Sequence, residues 1–149
     1  MPSAVHELRS GICQWIDARS AEQTALLEKL VAAPSENPPG DVEAVAREIE
    51  HFLHARGRSF ERIQRAENQP NIVSSIANGT GRHLVLNGHM DTIPVGPRDR
   101  WTVEPFALTA QKDRLLGLGS GNMKGAVAAL LSPMPGSPSE PTSGKARSP

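Results

Sequence analysis

The chain reads as an α/β protein: helices first, short strands in the middle, and a glycine-led helix near residue 131. Three observations predict this. Apolar side chains recur at helical spacing through residues 6–33 and 42–53. Two short β-type runs, residues 72–77 and 83–86, flank a turn signal. A glycine-rich stretch at 117–121 then leads into the alanine-rich residues 123–131.

In the first segment Ile12, Trp15 and Ile16 share one helical face, and Leu26, Leu27, Leu30 and Val31 share another. Ser20 is expected to cap the second of two helices, with Glu22 and Gln23 in its first turn. Pro34 closes this region. Residues 34–41 hold Pro34, Pro38, Pro39 and Gly40, so they form a turn or extended loop. Asp41 then reads as an N-cap. Val42, Val45, Ala46, Ile49, Phe52 and Leu53 follow as one apolar stripe, and Gly57 is the natural stop.

Beyond Gly57 the period shortens. The turn signal Asn78-Gly79-Thr80-Gly81 predicts a hairpin between 72–77 and 83–86. A loop rich in Pro and Gly covers 94–105. Strand candidates at 106–111 and 114–116 flank Lys112-Asp113. The expected architecture is two N-terminal helices on a mixed sheet, with the helix from Met123 behind it. Residues 132–149 differ in kind, because Pro, Ser and Gly dominate them. Such a stretch buries too little apolar area to offset its ordering entropy. The expected division is therefore a folded domain over 1–131 and a disordered tail over 132–149.

Bulk properties exclude several classes. Sixteen basic and sixteen acidic residues cancel, and no basic stripe interleaves with aromatics, so no nucleic-acid footprint is present. Arg56, Arg58, Arg62 and Arg65 alternate with acids and apolar residues and read as a solvated surface. His51 and His54 lie without nearby partners that would make a metal site, and read as surface positions. Cys13 is the single cysteine, which excludes an internal disulfide and favours a buried structural thiol. No apolar run approaches the roughly 20 residues of a membrane span. The N-terminus lacks the pattern of a signal peptide, so a cytoplasmic setting is expected.

The chemistry centres on Leu84-Val85-Leu86-Asn87-Gly88-His89-Met90-Asp91-Thr92. An apolar strand runs into His-x-Asp, and residues two apart on a strand point to one side. A neutral imidazole is a good zinc ligand, and a carboxylate can accept its other ring N–H and fix the tautomer. Taken alone, His-x-Asp is common, and the bland reading is two polar residues near a strand end. The second element is Gly117-Leu118-Gly119-Ser120-Gly121-Asn122-Met123-Lys124-Gly125. It is no phosphate-binding loop, because Gly125 follows Lys124 where Ser or Thr is required. It is no dinucleotide fingerprint, because Asn122 stands at the third glycine position.

Four blocks occur in order: residues 30–40, residues 87–96, Trp101 with Pro105-Phe106, and residues 117–125. Together they resemble the zinc amidohydrolase and exopeptidase family of acetylornithine deacetylase, succinyl-diaminopimelate desuccinylase, aminoacylase and carboxypeptidase G. The resemblance covers residues 20–131. It implies the N-terminal part of a zinc-exopeptidase-like catalytic domain that hydrolyses N-acylated amino acids or small peptides. It implies that His89 is a metal ligand and Asp91 its catalytic orienting partner, with zinc, or cobalt, as the ion. Asn122 falls where the family carries an aspartate that bridges two metal ions, and Asn122–Met123 where it often carries a cis peptide.

Two departures bear on activity. An amide offers one good oxygen and no charge, so Asn122 is a poor bridge and a dinuclear site is weakened. The family's Glu-Glu pair, later ligands, and lid domain that contributes to dimer contacts have no counterpart in 132–149, where Glu140 is the only acid. The 149-residue chain is therefore expected to be an inactive, truncated hydrolase. The abrupt change at Leu131-Ser132-Pro133 suggests a shifted reading frame or a misplaced gene end. An unpaired sheet edge and low solubility should accompany such a fragment. The competing reading is a non-catalytic remnant or interaction fragment of such an enzyme.

Overall fold

A computed structural model of the chain describes residues 3–77 and 79–134. Helix α1 spans Ala4–Asp17, and the Ser3 hydroxyl accepts from the His6 N–H at its start. Its apolar stripe finds no partner among the described residues: Leu8, Ile12 and Ile16 all stay exposed. Cys13 is exposed too, not buried as its residue type suggested, because α1 buries none of its residues.

Helix α2, Ser20–Ala32, buries the expected face of Leu26, Leu27, Leu30 and Val31. Ser20 is its first helical residue rather than its cap; Arg19 takes that position without a side-chain cap bond. The Ser20 carbonyl instead receives the Thr24 hydroxyl. Helix α3, Glu43–Ala55, buries Val45, Ala46, Ile49 and Leu53. Val42 is the cap residue, yet Asp41 still serves the helix start, because its Oδ1 accepts from the Glu43 N–H at 3.0 Å. Gly57 ends the helix at φ +66°, a conformation glycine adopts without a Cβ penalty. Its N–H reaches His54 O, and the Arg58 N–H reaches Leu53 O, each at 2.9 Å, which is a Schellman closure.

Helix α4, Lys124–Leu131, packs Val127 and Ala128 into the same core as α2 and α3. Leu30, Val31 and Ala128 are fully enclosed there. Burying each of the two larger side chains contributes about 1.5–3 kcal/mol.

The strands pair differently from expectation. Strand β1, Glu61–Gln64, pairs antiparallel with β2, Pro70–Val73, placing Arg62 opposite Ile72. The turn lies upstream of residue 70, where Asn68 takes φ +55°. Asparagine tolerates that left-handed region better than most residues. The predicted hairpin between 72–77 and 83–86 does not form: residues 74–77 and 82–91 carry no ladder. Asn78, within that turn signal, lies outside the described residues. A second antiparallel pair, β3 (Thr109–Gln111) and β4 (Arg114–Leu116), turns through Lys112-Asp113 as expected. The α/β character holds. The antiparallel and parallel pairings of a mixed sheet both occur, but as separate pieces. The parallel one is a bridge between Glu36 and Thr92. Leu84 and Val85 are 82% and 83% exposed.

Ser132 is buried, and its N–H bonds Ala128 O as a continuation of α4. Met134 O accepts from Arg56 Nη1 at 2.5 Å. Arg56 is thus no solvated surface residue. It also pairs with Glu22 and lies over the Phe52 ring at 4.6 Å, tying α2, α3 and the turn after α4 together. The rest of the expected tail, residues 135–149, lies outside the described residues.

Candidate metal centre

Two chain segments meet at the site. One is the extended run 88–92, held against the loop 35–37. Thr92 N–H donates to Ser35 O and Asn37 N–H to Thr92 O, each at 2.8 Å. The Ser35 hydroxyl donates to Met90 O at 2.8 Å. Just beyond, the Val95 N–H donates to Glu36 Oε1 at 2.6 Å. The other segment is the start of α4. Gly88 lets the two approach: a Cβ there would sit 3.1 Å from Met123 Cε and 3.2 Å from Val127 Cγ2. The Asn122–Met123 peptide is cis.

His89 and Asp91 do face one spot. His89 Nδ1 lies 2.9 Å from Asp91 Oδ1 and 3.0 Å from Asp91 O. Both neighbours are acceptors, so the Nδ1 atom carries the proton. The second Asp91 oxygen, Oδ2, accepts from Asn37 Nδ2 at 3.0 Å. The Asn37 amide, ahead of the smaller contribution from His89, holds the Asp91 carboxyl below its usual value of 3.8, against a partial desolvation that raises it. An ionised Asp91 is therefore the working form near neutral pH.

The structure also brings Asn122 to the site. Its Oδ1 lies 3.3 Å from His89 Nε2. In the neutral imidazole with Nδ1 protonated, Nε2 presents a lone pair. A lone pair facing an amide oxygen is favourable only with a cation or proton between them, or with the amide turned. The spacing suits a cation: two ligands of a tetrahedral zinc, each bound at about 2.0–2.1 Å, lie about 3.3 Å apart. An imidazole nitrogen and an amide oxygen are both competent donors, so the residues present fit one edge of a metal shell. Among the described residues no group of three or more His, Cys, Asp or Glu is placed to hold a metal ion. His51 and His54 stay exposed on α3.

Sequence reasoning missed the supporting residues. Asn37 and Ser35 lie in a turn-rich block, residues 30–40, to which the sequence assigns no site role. Lys124 was read only as part of a glycine-rich motif. It is enclosed, and its ammonium donates to Ala33 O at 2.6 Å. Burial pushes its pKa down to about 8, opposed by the nearby Glu36 charge. Gly119 makes room for it at φ +79°, where a Cβ would lie 2.7 Å from Thr92 Cγ2 and 3.2 Å from Lys124 Cδ. Ser35 directly after Pro34, and Asn37 directly before Pro38, are the available signals for the loop. Nothing in the sequence pointed to a buried lysine.

The chain is similar to several known proteins. Residues 85–135 match the model of peptidase family M20/M25/M40. The chain is 33% identical over 121 residues to N-formyl-4-amino-5-aminomethyl-2-methylpyrimidine deformylase of Halalkalibacterium halodurans, covering 78% of this chain and 28% of that protein. It is 36% identical over 106 residues to succinyl-diaminopimelate desuccinylase of Parvibaculum lavamentivorans, covering 69% of this chain and 26% of the relative. It is 38% identical over 88 residues to acetylornithine deacetylase of Vibrio cholerae, covering 59% and 23%. The chain thus spans about a quarter of the length of these relatives. The fold is similar to that of human carnosine dipeptidase 1, with a TM-score of 0.57 and 21% identity over 79% of this chain and 28% of that one. Residues 85–135 thus resemble the M20/M25/M40 peptidase family, and the described fold is similar to part of a dipeptidase.

Proposed function

We propose that residues 1–131 form part of the catalytic domain of a metal-dependent amide hydrolase acting on N-acylated amino acids or small peptides. The observation that carries this reading is the His89–Asn122 pair, 3.3 Å apart, with the far side of the imidazole held by Asp91. His89 offers Nε2 as a ligand. Asp91 keeps the proton on Nδ1, orients the ring and raises its basicity. Asn122 adds a neutral, weaker oxygen. Zinc, with cobalt as a substitute, is the ion this donor set suits; when bound, it would polarise an amide carbonyl and acidify a bound water. The three relatives support the reaction class, since their names describe removal of formyl, succinyl and acetyl groups. A cytoplasmic setting belongs to the same reading.

The described residues place no general base beside the two donors. We therefore expect the 149-residue chain by itself to bind zinc weakly and to leave N-acetyl and N-succinyl amino acids uncleaved. Zinc titration by calorimetry tests the site. One ion per chain is expected, with Asn122 and His89 both contributing, and His89→Ala should weaken uptake at least about tenfold. Equal uptake by wild type and His89→Ala would end this assignment.

A further inference from the structure

Three features have no part in the proposal above. They are the exposed apolar stripe of α1, the bare run Leu84-Val85-Leu86, and the loop 33–37. Nothing in the structure says what covers the first two. The loop is different, because its contacts converge on both donor-bearing segments.

The stretch from Ala33 to Asn37 touches the His89 arm through Asn37 and the Asn122 arm through Ala33. On one side Asn37 Nδ2 donates to Asp91 Oδ2, while Asp91 Oδ1 faces His89 Nδ1. Two backbone bonds between 35–37 and Thr92 fix the register of that contact. On the other side Ala33 O accepts from Lys124 Nζ, two residues after Asn122 in the chain. A carboxylate with only one oxygen engaged can rock about its Cβ–Cγ bond, and the imidazole it holds rocks with it. Engaging the second oxygen removes that freedom.

We infer that Asn37 is a positioning residue, which locks Asp91 and thereby aims His89 Nε2 at the metal position. The inference rests on the reading of His89 as a metal ligand. Asn37 suits this task because its amide donates without adding charge. A lysine or arginine there would neutralise Asp91 and weaken its hold on the imidazole proton. An aspartate would repel it.

Calorimetric zinc titration of the 149-residue chain, together with long-range ¹H–¹⁵N spectra of His89 in the metal-free chain, tests this. Wild type should show the Nδ1–H tautomer. Asn37→Ala and the near-isosteric Asn37→Leu should each lose affinity about 3- to 10-fold, somewhat less than the 10- to 100-fold typical of a partner bonded directly to the ligand. Both should also admit the Nε2–H tautomer, a signature that a purely structural role of Asn37 would not move. Asn37→Gln, which keeps an amide donor, should recover part of the affinity. Thermal unfolding of the metal-free variants identifies any loss due to misfolding. Wild-type affinity and tautomer in folded Asn37→Leu, alongside a damaged His89→Ala control, would overturn the role of Asn37 and leave the metal reading intact. An undamaged His89→Ala control would overturn both.

Discussion

Asn122→Asp is the substitution that most directly weighs the metal centre. The change replaces a neutral amide oxygen with a carboxylate at the same distance from His89 Nε2, now 3.3 Å. The surroundings are wet: the His89 and Asp91 side chains are 48% and 33% exposed. Water's dielectric constant is therefore the appropriate one. A unit negative charge about 3 Å from a dication then contributes about 3 kcal/mol, or roughly 100-fold in affinity. The gain should shrink as salt is added, because the charges are exposed. Competition of the purified chain against a zinc indicator, at two ionic strengths, measures it. The expected result is tighter binding by one to two orders of magnitude in low salt. The gain should largely vanish in a His89→Ala background, because one carboxylate alone is a weak site. Affinity unchanged within threefold would refute the claim that Oδ1 of residue 122 faces the ion. So would an equal gain without His89.

Other predictions concern the frame around the site. Gly119→Ala should destabilise the chain by about 2–4 kcal/mol in urea unfolding, from a left-handed backbone and overpacking together; its Cβ would meet Thr92 Cγ2 at 2.7 Å. Lys124 has a folded pKa of about 8 against 10.5 unfolded. Between those values the unfolded chain binds more protons, so stability should rise with pH across that window. Thermal midpoints from pH 7.5 to 10.5 should climb in wild type and climb less in Lys124→Met.

Much of the helical frame was legible because its signals are local. The apolar spacing of Leu26, Leu27, Leu30 and Val31 and of Val45, Ala46, Ile49 and Leu53 needs only a 3.6-residue period, and both faces are buried. Gly57 as a stop needs only its freedom at positive φ. Strand pairing is not local. The run 72–77 had two possible partners, one on each side, and the glycine-rich turn signal at 78–81 favoured the wrong one. The choice went to β1, whose register brings Arg62 onto Glu43 and Glu50 of α3. The Glu43 carboxyl is lowered chiefly by that arginine. An arginine read as solvated was thus a tie between a strand and a helix.

The sequence by itself determined the pieces of the metal corner: an imidazole and a carboxylate two residues apart, and an amide where a motif led one to expect an acid. It could do so because residue type and short spacing dictate that chemistry. Only the tertiary structure decided that Asn122, 33 residues after His89, stands across from Nε2. It alone decided that Asn37, 54 residues before Asp91, completes the carboxylate's bonds. Contacts at that separation are set by how α2, α4 and the loop between α2 and α3 pack together, and no periodicity along the chain encodes them.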